Sequence, residues 1–223
     1  YKKLDNGDVQ MDQDDYIGTI RPIVSSELTG SPAEANATTG VSNQFVILRG
    51  ALAYTLLTQA WLQVYVVALQ RVQQPTNLDI RRLNAITRKL QKEPQKLLYP
   101  AMECTGIVDL HTDSGYRRLT SEDDIKKGYC MRGLNVLRQG DRLDGGGPAV
   151  HLVESVCKSH RLQIRSSYGV ETLAAAHGVD DAFPTIITLH ELTNAAMTTA
   201  QLRDVREKED LASKPFSRLM LNQ

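Results

Sequence analysis

The spacing of apolar and polar positions changes twice along the chain and divides it into three stretches. Residues 1–45 mix acids with Ser, Thr, Gly, Ala and Asn. Only Tyr16-Ile17 and the run Ile20 to Val24 are apolar enough to dock, so this stretch reads as an irregular arm. Gly50 to Gln70 is a run of 21 residues without a charge, long enough to cross a bilayer. Thr55, Gln59 and Gln63 recur at i, i+4 and i+8, however, and form a polar stripe that suits a helix packed within a protein better than one facing lipid. Membrane contact through 50–70 is therefore possible but not favoured. One continuous helix is expected through this run, since no proline interrupts it.

Pro75-Thr76-Asn77-Leu78-Asp79 opens the next helix, with Thr76 as N-cap and Asp79 three residues on in capping-box position. Leu83, Ile86 and Leu90 supply its apolar face, and Glu93-Pro94 ends it. Arg81, Arg82, Arg88 and Lys89 occupy other faces and form a weak candidate contact for a nucleic-acid backbone, beside the plainer reading of a solvated surface. After Pro100 the period shortens. Residues 105–112, 128–138 and 149–157 read as three strands of an antiparallel meander, separated by the charged run 121–127 and the turn 144–148. Residues 166–192 then read as a helix with a break or kink near Pro184, Thr198 with Gln201 caps a short helix to about Asp210, and Ser217 to Leu221 reads as a last strand. The order β-β-β-α-α-β predicts an α+β or α/β layered domain over 101–223, behind a helical segment over 46–100.

Composition narrows the function. The 223 residues carry 26 Lys+Arg against 26 Asp+Glu, a net charge of +0, which argues against strong stand-alone nucleic-acid binding. Three cysteines, Cys104, Cys130 and Cys157, show no C-x-x-C pair, so neither a disulfide framework nor a zinc knuckle is indicated, and a reducing intracellular compartment is the default expectation. The opening Tyr-Lys-Lys leads into nothing resembling a signal peptide, and the chain reads as a processed or excised segment. Asn36-Ala37-Thr38 is formally a glycosylation acceptor but reads as loop composition. His151, His160, His177 and His190 lack H-x-x-x-H or H-E-x-x-H spacing. Gly145 to Gly147 precedes a strand rather than a helix, so it is no phosphate cradle.

Two carboxylates stand out. Asp113 closes the first strand in His111-Thr112-Asp113-Ser114-Gly115, and Glu171 lies a turn into the helix that follows the meander. An acid at a strand end and another on a neighbouring helix can converge hard oxygen ligands on Mg²⁺ or Mn²⁺, and two such ions can clamp a phosphodiester undergoing hydrolysis. His111, two residues before Asp113 on the same strand face, is a lesser metal or acid/base candidate.

The order of motifs resembles the C-terminal part of a copia-type retrotransposon polyprotein, the tail of its reverse transcriptase followed by its ribonuclease H domain. Gln13-Asp14-Asp15-Tyr16-Ile17 is similar to that family's Q-x-x-Y-I. Leu48-Arg49-Gly50-Ala51-Leu52-Ala53-Tyr54 with Thr58 is similar to its L-x-G-x-L-x-Y…T-R-P-D helix, and Pro75-Thr76 through Arg82-Leu83-Asn84-Ala85-Ile86 to its P-T…R-L-x-x-I helix. His111-Thr112-Asp113 resembles the first-strand S-D-A. Cys157-Lys158-Ser159 and then Arg165-Ser166-Ser167 through Glu171-Thr172-Leu173-Ala174 resemble K-K-Q…S-S-T-E-A-E-Y-x-A.

The resemblance implies a ribonuclease H-like mixed sheet with flanking helices, cutting the RNA strand of an RNA:DNA hybrid, with Asp113 and Glu171 as the first two metal-holding acids. It also marks departures. The family's third acid belongs on the strand after the long helix, where Asn222 stands near the position, and its fourth has no counterpart here, so residues beyond Gln223 would have to complete the site. Asp14-Asp15 is not the polymerase Y-x-D-D, since position 12 is Asp, and Gln59-Ala60-Trp61 replaces R-P-D. Two functions follow: a degenerate ribonuclease H-type enzyme acting with Mg²⁺ or Mn²⁺, or a co-opted accessory subunit that needs no metal and binds protein partners in a larger complex.

Overall fold

The structure is a computed structural model that describes residues 1–103, 107–115, 130–159, 166–193, 196, 198–201 and 203, together with the backbone of 219–222. The chain divides into two compact units, Tyr1–Lys2 with Gln10–Leu97, and Lys3–Val9 with Leu98–Gln223. Three short strands, β1 (Lys2–Lys3), β2 (Val9–Met11) and β3 (Leu97–Tyr99), pair in that order.

The first unit is helical: α1 (Asp14–Thr19), α2 (Glu27–Gly30), α3 (Thr39–Thr55), a 3-10 turn at Ala60–Leu62, α4 (Gln63–Gln70) and α5 (Asn77–Lys92). The cap expected at Thr76 is in place. Its hydroxyl accepts from the Asp79 N–H, and the Asp79 carboxylate accepts the Thr76 N–H at 3.0 Å. Ile80, Leu83, Thr87 and Leu90 then bury one stripe of α5 at helical spacing, packed with Phe45, Leu48 and Leu52 of α3.

Two expectations fail here, both through contacts distant in sequence. The stretch 1–45 holds α1, α2 and the first turns of α3 where an irregular arm was expected, and its two apolar runs dock as their composition suggests, with Ile17, Ile20 and Ile23 buried in the core. Asn84 accepts the Ile23 N–H and donates to its carbonyl, each at 2.8 Å, and Gln91 donates to the Ile20 carbonyl at 2.7 Å, so two amides a heptad apart on α5 satisfy an extended backbone that would otherwise stay in water.

Nor does one helix run through 50–70. Helix α3 stops at Thr55, and Gln59 adopts φ −113, ψ 59 before the 3-10 turn. The break is fixed by Gln59, which is wholly buried. It donates to the Gln95 carbonyl at 2.7 Å and accepts from the Gln95 N–H at 3.0 Å and the Trp61 indole at 3.2 Å. Arg49 meanwhile caps the end of α4, donating to the Leu69, Gln70 and Val72 carbonyls at 3.1, 3.3 and 3.1 Å, where a cation also meets the negative end of the helix dipole. Among the described residues no helix is long and apolar enough to cross a membrane.

The second unit is mixed α+β. Strands β4 (Ile107–Gly115), β5 (Met131–Asp141), β6 (Pro148–Ser159) and β7 (Leu219–Asn222) pair in the order β6-β5-β4-β7, with β4 antiparallel to β5, β5 antiparallel to β6, and β7 parallel to β4. Helix α6 (Ser167–Thr193) lies on one face. Alternate positions of the central strands, Val108 and Leu110 of β4 and Leu134 and Val136 of β5, meet Ala182 and Ile186 of the helix, so the period-2 apolar pattern becomes the buried face. Of the break or kink expected near Pro184, the break does not occur, and α6 continues through the proline. Ala182 and Ile186 on either side are buried against the sheet, and this packing holds the turn that has lost one backbone N–H. The capping pair at Thr198 and Gln201 is formed, while most of the helix expected to Asp210 lies outside the described residues, as do Cys104, His160 and the charged run 121–127.

The β5–β6 turn is built on Arg142, which reaches Asp144 at 2.9 and 2.7 Å and Asp8 at 3.4 Å, while Gly145 and Gly147 take φ of 75 and 86. Asp144 is held down at about 2, first by the Arg142 hydrogen bonds and then by the Gly146 N–H. Asp8 is held low first by the Ala101 N–H and further by Asn6 and Arg142. Folding lowers both pKa values, so the folded chain binds fewer protons. Their contribution is complete above the ordinary carboxylate pKa of about 4 and is lost as pH falls through the lowered values, which for Asp144 means about 2. Urea midpoints of the chain should therefore fall between pH 5 and pH 2, and those of Asp8→Asn should fall less. An equal slope in the variant would count against this role for Asp8.

Candidate active site at one end of the sheet

Two ion pairs give α6 its direction over the sheet. Asp181 lies 3.1 Å from Arg132 of β5 and 3.3 Å from Lys158 of β6, residues that stand level with Ser114 of β4. One turn on, Thr185 donates to Glu154 at 2.7 Å, level with Val136 and Leu110. The helix therefore runs antiparallel to β4, and its first turns extend past the end of the strand where Asp113 sits.

At Gly178 the helix lies close on the strand, and a Cβ there would come within 2.6 Å of the Thr112 methyl. Glu171 stands seven residues, or nearly two full turns, before Gly178, on the same face of the helix but about 10 Å nearer its start. It is exposed, whereas Val170 and Ala174 on either side of it are buried. Asp113 is exposed as well, and one carboxylate oxygen accepts the Ser114 N–H at 2.8 Å. Since Thr112 faces α6, strand alternation turns Asp113 toward the opposite face. The structure thus brings the two acids to one end of the sheet from two elements, without placing them in one cluster.

Among the described residues no three His, Cys, Asp or Glu side chains are grouped to hold a metal ion. Asp113 and Glu171, both exposed and turned to opposite sides of the sheet, are not gathered as ligands of one ion. They fall short of a two-ion site. The β7 register puts Asn222 beside His111, two residues before Asp113, and the Asn222 side chain lies outside the described residues. His111 pairs with Asn135 and shares the Asp113 face by alternation.

The chain matches no family model, no curated protein and no solved structure.

The basic residues of α5 lie in the first unit, and most are engaged. Arg81 donates to the Leu28 and Ser31 carbonyls at 2.9 and 3.2 Å, Arg82 pairs with Asp79 at 3.7 Å, and Lys89 pairs with Glu93 and lies 5.7 Å from the Trp61 ring centroid. Arg88 is exposed. An open groove of about 380 Å³ along α1 and α3, lined among others by Tyr16, Ile20, Ile47 and Ala51, holds no carboxylate, histidine or cysteine and offers no acid/base chemistry. Cys130 is buried and Cys157 half-buried. His151 is turned to the Pro100 carbonyl at 2.7 Å and stacks edge-on with Tyr99.

Two carboxylates that sequence reading did not single out emerge from the fold. Asp181 clamps α6 to β5 and β6. Asp109, 2% exposed in the middle of β4, accepts from Gln139 through one oxygen and leaves the other without a partner. An acid inside Ile107-Val108-Asp109-Leu110 is the one signal that would have pointed to it.

Proposed function

We propose that the second unit is a retroelement-derived, ribonuclease H-like module whose ancestral activity is metal-assisted hydrolysis of the RNA strand in RNA:DNA hybrids, and that this activity is degenerate in the present chain. The observation that supports the reading is that Asp113, near the end of a central strand, and Glu171, in the first turns of the helix laid over the sheet, lie toward the same end of the unit. A mixed sheet with a helix on its face is also the architecture that the copia-type resemblance calls for. Mg²⁺ or Mn²⁺ bound there would supply Lewis-acid stabilisation of charge on a phosphodiester. The chain's own part is to present two exposed carboxylates from two elements.

Degeneracy follows from the donor set, since two acids carry too little negative charge for two divalent ions. One feature favours the accessory-subunit reading: Ile47, Tyr54 and Leu57, in or next to α3, are 71%, 57% and 64% exposed within a neighbourhood poor in charge. A single experiment separates the two. The purified chain is incubated with a labelled RNA:DNA hybrid and Mg²⁺ or Mn²⁺, with Glu171→Gln as control. Residual cleavage that disappears in the variant supports the enzyme reading. Absence of cleavage at every metal concentration overturns present activity and leaves the accessory role.

A further inference from the structure

We infer that the exposed face of α3 pairs with the same face of a second copy of this chain, the two helices crossing at Gly50 and each setting Ile47 and Tyr54 against the groove beside α1 of the other copy. The face lacks charge over a long stretch. Between Glu34 and Arg71 the sequence holds one charged residue, Arg49, and its guanidinium is already bound to three carbonyls at the end of α4. Asn43, Ile47, Gly50 and Tyr54 follow at intervals of four, three and four, the spacing at which helices meet along a seam, and all four are exposed. Gly50 has no packing reason among the described residues. A helix interior disfavours glycine relative to alanine, yet a Cβ at 50 would meet nothing within 4 Å. What a glycine at this position permits is the close approach of another backbone.

Charge and shape select a second copy as the occupant. A nucleic acid or an acidic peptide needs cations, and a helix lying on a membrane holds to it through Lys and Arg beside its apolar side; α3 has only Arg49, engaged by α4. Ile47, 71% exposed, also walls the groove with Tyr16, Ile20, Pro22 and Ala51, so a ridge stands beside a hollow, a shape that a two-fold axis can fit to itself. The two ends of the groove differ in charge. Helix α1 runs antiparallel to α3, since Gln13 donates to the Tyr54 carbonyl at 3.3 Å and Tyr16 to the Ala51 carbonyl at 3.4 Å, while Ile20 and Ile23 lie by Gln44 and Ile47. Exposed Asp15 therefore stands at the Tyr54 end. Exposed Arg21, which donates to the Gly18 and Ile20 carbonyls, stands at the Ile47 end. A two-fold axis through Gly50, perpendicular to the helix, runs the two copies of α3 antiparallel and lays the basic end of one groove over the acidic end of the other. The pairing gives the apolar face of the accessory-subunit reading its partner and is independent of the carboxylates of the second unit.

The test is the mass of the full chain in solution, followed by sedimentation equilibrium over a range of concentrations. The wild type should reach twice the mass of one chain. Gly50→Gln, which holds the helices apart, and Ile47→Glu, which buries a charge, should each weaken the dimer about tenfold or more. The glutamine enters open space and favours helix, so the urea midpoint of Gly50→Gln should not fall below that of the wild type, which separates lost pairing from lost folding. Arg21→Glu should also weaken the dimer, and adding Asp15→Arg should restore it. A monomer at every soluble concentration overturns the inference, and binding of that monomer to neutral phosphatidylcholine vesicles, lost in Ile47→Glu, would assign the face to lipid instead. A dimer that Gly50→Gln and Ile47→Glu leave intact overturns it too, since the contact then lies elsewhere. An unchanged dimer in Arg21→Glu, or a loss that Asp15→Arg does not restore, overturns the antiparallel arrangement. None of these outcomes depends on cleavage of an RNA:DNA hybrid, so the pairing and the ribonuclease reading fail separately.

Discussion

Replacing Gln59 by alanine is expected to cost the first unit about 3 kcal/mol, because it unties a buried set of hydrogen bonds rather than a single one. Gln59 is wholly buried, and its amide meets both the N–H and the carbonyl of Gln95, the Trp61 indole and the Thr58 hydroxyl, which in turn donates to Gln13 at 2.8 Å. Each buried partner left without a hydrogen bond costs about 1–3 kcal/mol, and because Gln95 is exposed, water can reach part of what is lost. The chain has one tryptophan, and Trp61 lies inside this network, so its fluorescence during urea unfolding reports on the region the substitution disturbs. A change below about 1 kcal/mol would mean that water replaces the amide, since a net hydrogen bond contributes only about that much.

In the second unit the largest loss is expected from Leu110→Ala, about 3–4 kcal/mol, because a fully buried leucine leaves a cavity as well as forfeiting its transfer free energy. Leu110 lies on the central strand between β5 and β7, beneath α6, and its neighbours Val108, Leu134 and Ala182 are themselves buried and cannot collapse freely into the space. Val150→Ala on the edge strand β6 is the contrast. Its side chain is 46% exposed, and the change should fall within about 0.5 kcal/mol, as surface substitutions do. Urea unfolding followed by far-ultraviolet circular dichroism measures both. Equal losses for the two would contradict a core seated between α6 and the central strands.

What could be read from the residues was whatever local chemistry decides. Thr76 and Asp79 cap α5 within a single turn, and the alternation through Val108, Leu110, Leu134 and Val136 marks the buried face of a sheet without reference to anything distant. The end of α3 was not legible, because the group that breaks the uncharged run, Gln59, does so through Gln95, 36 residues on. That Ile20 to Val24 would dock could be read from its apolar run, but where it docks could not, since that depends on Asn84 and Gln91 far along the chain. At the candidate site, strand end and helix start located Asp113 and Glu171. The closeness of Gly178 to Thr112 and the Asp181 clamp exist only once the helix is laid over the sheet.

The parallel pairing of β7 with β4 has a consequence for the order of folding. β5 and β6 reach their neighbours through adjacent stretches of chain, whereas β7 joins Val108 to His111 from more than a hundred residues away. Contacts of such long separation form late, after their loop-closure entropy has been met. Until then β4, the strand that carries Asp113, presents an unpaired edge flanked by apolar side chains, a template for strands of other molecules. In the nascent chain the central strand of the mature sheet is an outer one, and its exposure lasts as long as synthesis takes to deliver Leu219 to Asn222.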